Sequence, residues 1–464
     1  MNRAPLKQPL VSWLLALPFL TGCAAFQPTR VDGPVGLPPG LAENNEASAR
    51  RAELPTGPLT LERALHIALA NNPDIVAGAW NVAAVQARGR YASSGHWPTL
   101  GVNAAYRHHW HQERLVPARG PVADAAFSHD IFAGDVVLSI PLLAGGRVMS
   151  AVAASELMAR AAEHRLAQTK EELIFNVKST FYAILGQTRM IEALEHSQKA
   201  LDEHLSKTRE LITARKAARV DLLNIEVRLA EINHHLVKQR GTVEISKRLL
   251  ASLLGIEAIP PGGLSIQGEL AARKVNLDSR RILSTAIETR PDMAGLALEI
   301  QAQAKRIDMA RADYWPVVSA KATYGARANA QGKYDDLGFA GLELSLPVFT
   351  GLSTAARVEE EHAKLRALQE RQRKLTLAIR REVESAVIQV QTTTAQAEAT
   401  EKAIAKAEES LRIASEKAAL GLGTAMDVLD AQAALLNAET AYFAALVDLH
   451  TSLALLDLTA GGAT

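Results

Sequence analysis

The sequence of residues 147–213 is RVMSAVAASELMARAAEHRLAQTKEELIFNVKSTFYAILGQTRMIEALEHSQKALDEHLSKTRELIT, and it contains no proline. Its apolar residues recur at spacings of three, four or seven, which places them on one stripe of a helix. They are Leu166, Leu173, Val177, Phe181, Ile184, Ile191, Leu194, Leu201, Leu205 and Ile212. At about 1.5 Å per residue, such a helix would reach about 100 Å. A helix this long must pack along its length against others, so the stretch predicts a coiled-coil bundle or a tube.

A second stretch of the same kind occupies residues 352 to about 419, and no proline follows Pro347. Each long helix is followed by a turn and a shorter apolar-periodic segment, residues 220–254 and 424–458. The sequence therefore predicts two very long helical hairpins.

The two hairpins belong to a duplicated unit. Two pairs of markers lie 218 residues apart, and two later pairs lie 206 residues apart. Two constant offsets that change once indicate one unit used twice, with about twelve residues lost from a loop, where a hairpin tolerates such a change. In the first copy this loop lies between Tyr106 and Val136. The markers are Asn72-Pro73-Asp74 with Arg290-Pro291-Asp292, His96-Trp97-Pro98 with Tyr314-Trp315-Pro316, Ser139-Ile140-Pro141 with Ser345-Leu346-Pro347, and Val220-Asp221-Leu222 with Met426-Asp427-Val428.

Each unit begins with helical patterns. A short amphipathic helix is predicted over residues 59–71 and 279–289. A second helix starts at Pro73 and runs to about Ser94, and its counterpart starts at Pro291 and runs to about Asp313. Proline suits the first turn of a helix, and the Trp-Pro pair that follows each segment ends it.

After each Trp-Pro the apolar residues alternate with polar or small ones, as they do again in each return strand. Alternation over about ten residues is typical of transmembrane β-strands, although a half-buried soluble sheet alternates in the same way. Four strands are too few to close a wide barrel, whereas three chains would supply twelve. The apolar sets are Leu100, Val102, Ala104 and Tyr106; Val136, Leu138 and Ile140; Val318, Ala320, Ala322 and Tyr324; and Leu342, Leu344 and Leu346.

The amino terminus has the pattern of an export signal. Arg3 and Lys7 precede an apolar segment, residues 10–20, which ends in Leu-Thr-Gly before Cys23, the one cysteine of the chain. This segment resembles the bacterial lipobox, which implies that residues 1–22 are removed and that Cys23 carries lipid. An ordinary signal peptide with a chance cysteine is the alternative. Residues 24 and 25 are alanines, not the aspartate that retains lipoproteins at the inner membrane, and residues 23–58 form a Pro- and Gly-rich lipidated tether.

The lipobox, the duplicated unit and the strand pairs between long helices together resemble the TolC-like outer-membrane factor family. The sequence of residues 421–432, GLGTAMDVLDAQ, looks like the tip signature of that family, with Gly421 at its glycine. The resemblance implies a mainly α protein with a small β part, in which three chains share a twelve-stranded barrel and a helical tunnel. It divides the chain into a first repeat over residues 59–258, a linker over 259–276 and a second repeat over 277–464.

The resemblance also implies function and partners. It predicts the outer-membrane channel of a tripartite efflux system in a Gram-negative bacterium, a passive duct with no enzymatic activity and no cofactor. The expected partners are two further copies of the chain, a periplasmic adaptor (membrane fusion protein), an inner-membrane transporter of the RND type and outer-membrane lipid. A duct of a type I protein secretion system is an alternative, as is a periplasmic coiled-coil scaffold without a pore.

The gate is expected at the hairpin tips, where the matching positions are Asp427 and Asp430. Three copies of each would crowd negative charge at a constriction and select for cations. Alternatively, Asp427 only caps the return helix.

The two tips depart from the family pattern. Gly423 stands where an arginine often ties the gate, and the first tip carries Arg215, Lys216 and Arg219 before Asp221. We hypothesise that Arg215 or Arg219 pairs with Asp427 or Asp430, and these tip residues are also candidates for the adaptor contact.

Other functional classes find little support in the sequence. The formal net charge is +1, which gives no electrostatic argument for binding nucleic acid. Walker, HExxH, GxSxG and CxxC motifs are absent. His109 and His111 share a strand face and are weak candidates for a metal site, next to His108, Trp110 and His129. A polar rim with an interfacial tryptophan explains the same residues.

Overall fold

The structure is a computed structural model that describes residues 57–117, 126–215, 218–257, 263–272, 277–420 and 422–462. Cys23, the signal segment and most of the tether lie outside the described residues. Helices and strands follow the same order in both copies, which confirms a mainly α fold with a small β part. The first copy contains α1 (Leu61–Asn71), α2 (Pro73–Ser94), β1 (Thr99–Arg114), β2 (Phe127–Ala144), α3 (Arg147–Thr213) and α4 (Arg219–Leu253). The second contains α5 (Ser279–Thr289), α6 (Pro291–Arg311), β3 (Val317–Asn329), β4 (Tyr334–Ser345), α7 (Ser353–Ala419) and α8 (Ala425–Thr459).

Local chemistry explains where the helices start. The Asn72 side chain accepts a hydrogen bond from the backbone N–H of Asp74 at 2.8 Å, so it caps α2, whose first residue is Pro73. The Asp278 side chain caps α5 in the same way. α3 and α7 each contain 67 residues, and each begins after a residue in the left-handed conformation, Gly146 or Leu352.

The four strands form one antiparallel sheet in the order β1-β2-β3-β4. The pairing of β2 with β3 joins the two copies, and Val136 lies opposite Tyr324 there. The strands have 16, 18, 13 and 12 residues, so the expected length of about ten was too short. Alternation marks only the part of a strand with an apolar face, whereas backbone pairing continues beyond it.

The helices are packed around α3, which contacts α2 and α4 of its own copy and α6 and α8 of the other. α7 packs against α8, α6 and α5. Val177 and Val383, which are equivalent residues 206 apart, are both fully buried in their respective cores. Burying such a side chain stabilises the fold by about 1.5 to 3 kcal/mol. The predicted stripe of α3 is therefore its buried face.

Part of the predicted linker is ordered against the first copy. Ile266 forms a parallel bridge with Leu59, and the Gln267 N–H donates to the Leu59 carbonyl at 3.0 Å. α8 is long and apolar enough to cross a membrane by length and composition alone, with 33% of that window buried in the chain. Within the chain, α8 packs along α7 and α3.

Candidate functional site

The sheet has one apolar face that a single chain leaves uncovered. Leu100, Val102, Leu342 and Leu344 are all more than two-thirds exposed. Apolar surface of this extent on a protein marks contact with lipid or with another protein. The opposite face carries ion pairs, since Arg327 makes two hydrogen bonds to Asp135, at 2.7 and 3.1 Å.

Exposed aromatic side chains bracket the apolar face. Trp97 and Tyr106 lie at the two ends of the apolar part of β1, and Trp315 and Tyr324 are their equivalents beside β3. Nine residues separate the members of each pair, which corresponds to about 30 Å along a strand. With a tilt of about 40°, this separation becomes about 23 Å across a membrane, close to the apolar band of about 25 Å in transmembrane barrels.

The second hairpin tip is organised by Thr424 and Asp427. The backbone N–H and the hydroxyl of Thr424 both donate to Asp427 Oδ2 at 2.7 Å, and the Asp427 N–H donates to Thr424 Oγ1 at 3.2 Å. This reciprocal arrangement is a capping box at the start of α8. The backbone and hydroxyl hydrogen bonds from Thr424, with a smaller contribution from Lys417, lower the pKa of the Asp427 carboxyl.

The first tip repeats only half of this arrangement. Ala218 stands at the position of Thr424, so Asp221 accepts a hydrogen bond from the Ala218 N–H alone, at 3.1 Å. Arg215, at the position of Gly421, adopts the left-handed conformation with a φ of 57°. That conformation favours glycine. Lys216 and Gly421 lie outside the described residues.

Asp430 and Gly423 differ in how they are held. Asp430 is exposed, and its carboxylate lies 4.0 Å from the guanidinium of Arg228, which also pairs with Glu231 at 2.9 Å. Gly423 lies against the end of α7, where a Cβ would meet Lys417 at 3.2 Å.

The hypothesis about arginine pairing was wrong for contacts within one chain. Among the described residues, Arg215 and Arg219 form no ion pair with Asp427 or Asp430, and Arg228 occupies that role instead. Arg228 lies more than two turns into α4, where the two return helices approach each other, whereas Arg215 and Arg219 lie at the exposed end of the hairpin. Pairing between neighbouring copies stays a prediction, as do the gate and adaptor roles of the tip residues.

Sequence reasoning missed a buried charged residue at the base of the second hairpin. Arg290 is 8% exposed and donates two hydrogen bonds to Asp292, at 2.7 and 3.1 Å, and one to Glu382 at 2.8 Å. Burial opposes the charged form of Arg290, but the hydrogen bonds that it donates to these carboxylates outweigh the effect of burial and raise its pKa. Its equivalent, Asn72, is also buried and donates to the Leu253 carbonyl at 2.9 Å.

The signal for this site was present in the sequence. Both copies contain a Pro-Asp pair, which follows an asparagine in the first copy and an arginine in the second. The second copy therefore carries an extra charge at an equivalent position. Its acidic partner Glu382 could not be identified, because it lies 92 residues away on α7.

The register of β1 is irregular at His109 and His111. The rings of His108 and His129 lie near each other, with centroids 6.2 Å apart and planes that differ by 22°. No group of three or more potential ligands that could hold a metal ion occurs among the described residues.

A family model described as outer membrane efflux protein matches residues 64–256 and 282–462. The fusaric acid resistance protein FusA of Burkholderia cepacia is 25% identical over 313 residues, which is 64% of this chain and 57% of that protein. The chain thus matches little more than half the length of this curated relative.

Several solved structures have the same fold. The outer membrane protein VceC of Vibrio cholerae has a TM-score of 0.71 and 19% identity, with 87% of this chain and 96% of that chain covered. The CmeC outer membrane channel of Campylobacter jejuni has a TM-score of 0.73 and 16% identity, with 87% and 85% covered. The MtrE outer membrane channel of Neisseria gonorrhoeae has a TM-score of 0.71 and 19% identity, with 87% and 89% covered.

Proposed function

Because the chain belongs to the outer membrane efflux protein family, we propose that it is the outer-membrane channel of a tripartite efflux system. Three copies form a passive duct that carries substrates from an inner-membrane pump and a periplasmic adaptor to the outside. The pump supplies the energy, and the duct itself has no catalytic activity.

The apolar face between two rows of aromatic residues carries this proposal. The distance between the rows fits one bilayer, and the ion pairs of the other face suit a water-filled interior. A sheet of four strands leaves the outer edges of β1 and β4 unpaired within the chain. In lipid, unpaired backbone groups cost several kcal/mol each, so the edges must pair with other copies.

Three is the smallest number of copies whose strands would close into a barrel wide enough for a channel. Four strands from each of three chains give twelve, between the small filled barrels of eight strands and the porins of sixteen. The long helices α3 and α7 extend for about 100 Å from the sheet and form the periplasmic tunnel.

Lipid attached to Cys23 anchors the chain in the outer membrane. The support is the Leu-Thr-Gly-Cys sequence after an apolar segment. Several acyl chains on one residue give firm attachment.

We propose that Asp427 and Asp430 form the periplasmic gate. Both lie at the tip of the second hairpin, and Asp427 is kept ionised by its hydrogen bonds to Thr424. A threefold ring of such carboxylates favours cations at the constriction. The capping role of Asp427 is compatible with this role, because one carboxylate oxygen accepts both bonds from Thr424.

The surrounding tip residues are proposed to contact the adaptor, the membrane fusion protein, which links the duct to a pump of the RND type. They are Arg215, Lys216, Arg219, Asp221, Gly421 and Gly423. The relative named for fusaric acid resistance favours efflux of small molecules over protein secretion by a type I system.

Conductance across a planar lipid bilayer tests the proposal. We expect the detergent-purified chain to run as a trimer and to insert as a cation-selective channel, with weaker cation selectivity in D427N and D430N. D221N is the matched control, because it removes the equivalent carboxylate from the first tip. A monomer without channel activity would instead support a periplasmic scaffold.

A further inference from the structure

The far end of the first hairpin contains an irregularity that the second hairpin lacks. His108 lies opposite Asp130 in the β1–β2 register, but the next regular partners begin only at Glu113. Residues 109–112 therefore bulge opposite His129 alone. The β3–β4 register continues without such a break. Because bulges redirect side chains, this one brings two histidine rings together.

The hydrogen bonds of both histidines leave the same ring nitrogen available. His108 Nδ1 lies 2.7 Å from the Asp130 carboxylate, and His129 Nδ1 lies 3.0 Å from the His109 carbonyl. An ionised carboxylate oxygen and a carbonyl oxygen can only accept hydrogen bonds. The Nδ1 atom of each histidine therefore carries the proton and donates it. Each neutral imidazole then has its lone pair on Nε2. The Tyr106 hydroxyl donates to the same Asp130 oxygen at 2.8 Å and holds this carboxylate in place.

The spacing of the two rings fits a shared metal ion. Their centroids are 6.2 Å apart and their planes differ by 22°. Two imidazoles bound to one ion through bonds of about 2.1 Å have centroids up to roughly 6.5 Å apart. A rotation of the exposed His108 ring about its hydrogen bond to Asp130 would turn its Nε2 toward a point that it shares with the Nε2 of His129.

We propose that His108 and His129 bind a divalent transition-metal ion, of the class of Cu²⁺, Ni²⁺ or Zn²⁺, through their Nε2 atoms. Imidazole nitrogen suits these ions, whereas Mg²⁺ and Ca²⁺ select oxygen ligands. Asp130 acts as the outer carboxylate that orients a metal-binding histidine. Water completes the coordination. This site replaces the pair His109 and His111 considered from the sequence, and it does not depend on the proposed channel function.

Trp110 provides the measurement, because its ring centroid lies 6.2 Å from that of His108. Detergent-purified full-length protein is titrated with CuCl₂, and quenching of tryptophan fluorescence by bound Cu²⁺ is followed. We expect saturable quenching, and most of this quenching should be absent in W110F. H108A and H129A should raise the half-saturating Cu²⁺ concentration at least tenfold. D130N should raise it by about tenfold, the lower end for a group that orients a ligand.

Two neighbouring histidines of β1, a different metal ion and a conservative variant of His129 serve as controls. H109A and H111A should leave the titration curve unchanged, and MgCl₂ should produce no quenching. H129N keeps a donor for the His109 carbonyl but lacks the imidazole, so it should lose binding with the structure intact, as judged by circular dichroism.

The proposal is overturned if H129N and H108A bind Cu²⁺ as tightly as the unmodified protein, or if H109A or H111A abolishes binding. Bilayer conductance of the same preparations separates the two proposals. Normal conductance without Cu²⁺ binding would refute the metal site alone.

Discussion

Replacing Arg290 by alanine should destabilise the protein strongly. The change removes a buried guanidinium and leaves the carboxylates of Asp292 and Glu382 without the hydrogen bonds that it donates at 2.7 to 3.1 Å. Breaking a buried ion pair in this way costs about 3 to 5 kcal/mol. The side chains of Asp292 and Glu382 retain 24% and 37% exposure, so water partly compensates them. We therefore expect a loss of about 3 kcal/mol in the free energy of unfolding.

The duplication supplies the control for this experiment. Asn72 and Asn176 occupy the positions of Arg290 and Glu382 in the first copy. R290N should also be costly, because it leaves Glu382 without its partner. The double variant R290N/E382N recreates the neutral pair of the first copy and should recover at least half of the lost stability.

Urea unfolding of the detergent-purified protein, followed by circular dichroism at 222 nm, measures these differences. A loss below about 0.5 kcal/mol for R290A, the size of an ordinary surface change, would refute the argument. A double variant no more stable than R290N would also refute the argument, because the Glu382 carboxylate without its partner would then not destabilise the protein.

Three further predictions use the same duplication. L352G should raise the free energy of unfolding by about 0.5 to 1 kcal/mol in urea titrations, because Leu352 holds a φ of 66° that favours glycine, whereas G146L should lower it; no gain in L352G would contradict this. D427N should abolish a transition in single-channel conductance at acid pH. The lowered pKa keeps the Asp427 carboxylate ionised above about pH 4, so the carboxylate stabilises the cap at neutral pH and loses this effect only below about pH 4. A transition between pH 5 and 7 that disappears in D427N would show that the pKa of Asp427 is raised and would contradict this prediction. G325A should reduce the heat resistance of the trimer on gels, because a Cβ there would meet the backbone and a carboxylate of β2, whereas G341A, in open space, should not; equal melting of both would refute it.

The sequence was sufficient for the helices because periodicity and proline define them locally. The predicted hairpin helices agree with α3, α4, α7 and α8 to within a residue at either end. Pro73 and Pro291 fixed the starts of α2 and α6 for the same reason. Local sequence, by contrast, does not encode which strands become neighbours, so the pairing of β2 with β3 could not be derived.

The candidate sites were harder to predict because their contacts join distant parts of the chain. Asp427 caps α8 through Thr424, three residues away, and this role was foreseen as an alternative. The partner of Asp430 is Arg228, about 200 residues earlier, and helix packing rather than sequence proximity selects it. In the same way, the bulge opposite His129 changed which histidines meet, since strict alternation assumes an unbroken register.

The two copies belong to one chain and pair with each other through β2 and β3, which has a consequence for assembly. Six separate units would need to lose their translational and rotational freedom to complete the ring, at an estimated cost of about 4 to 15 kcal/mol for each association. Fusion places the two units of a chain at a high effective concentration. Three of the six seams, the strand pairings between neighbouring units, therefore form within a chain and do not depend on protein concentration. In the proposed trimer, only three seams depend on encounters in the periplasm. Completion of the ring should therefore follow the third power of protomer concentration at most, whereas six separate units would require the sixth power.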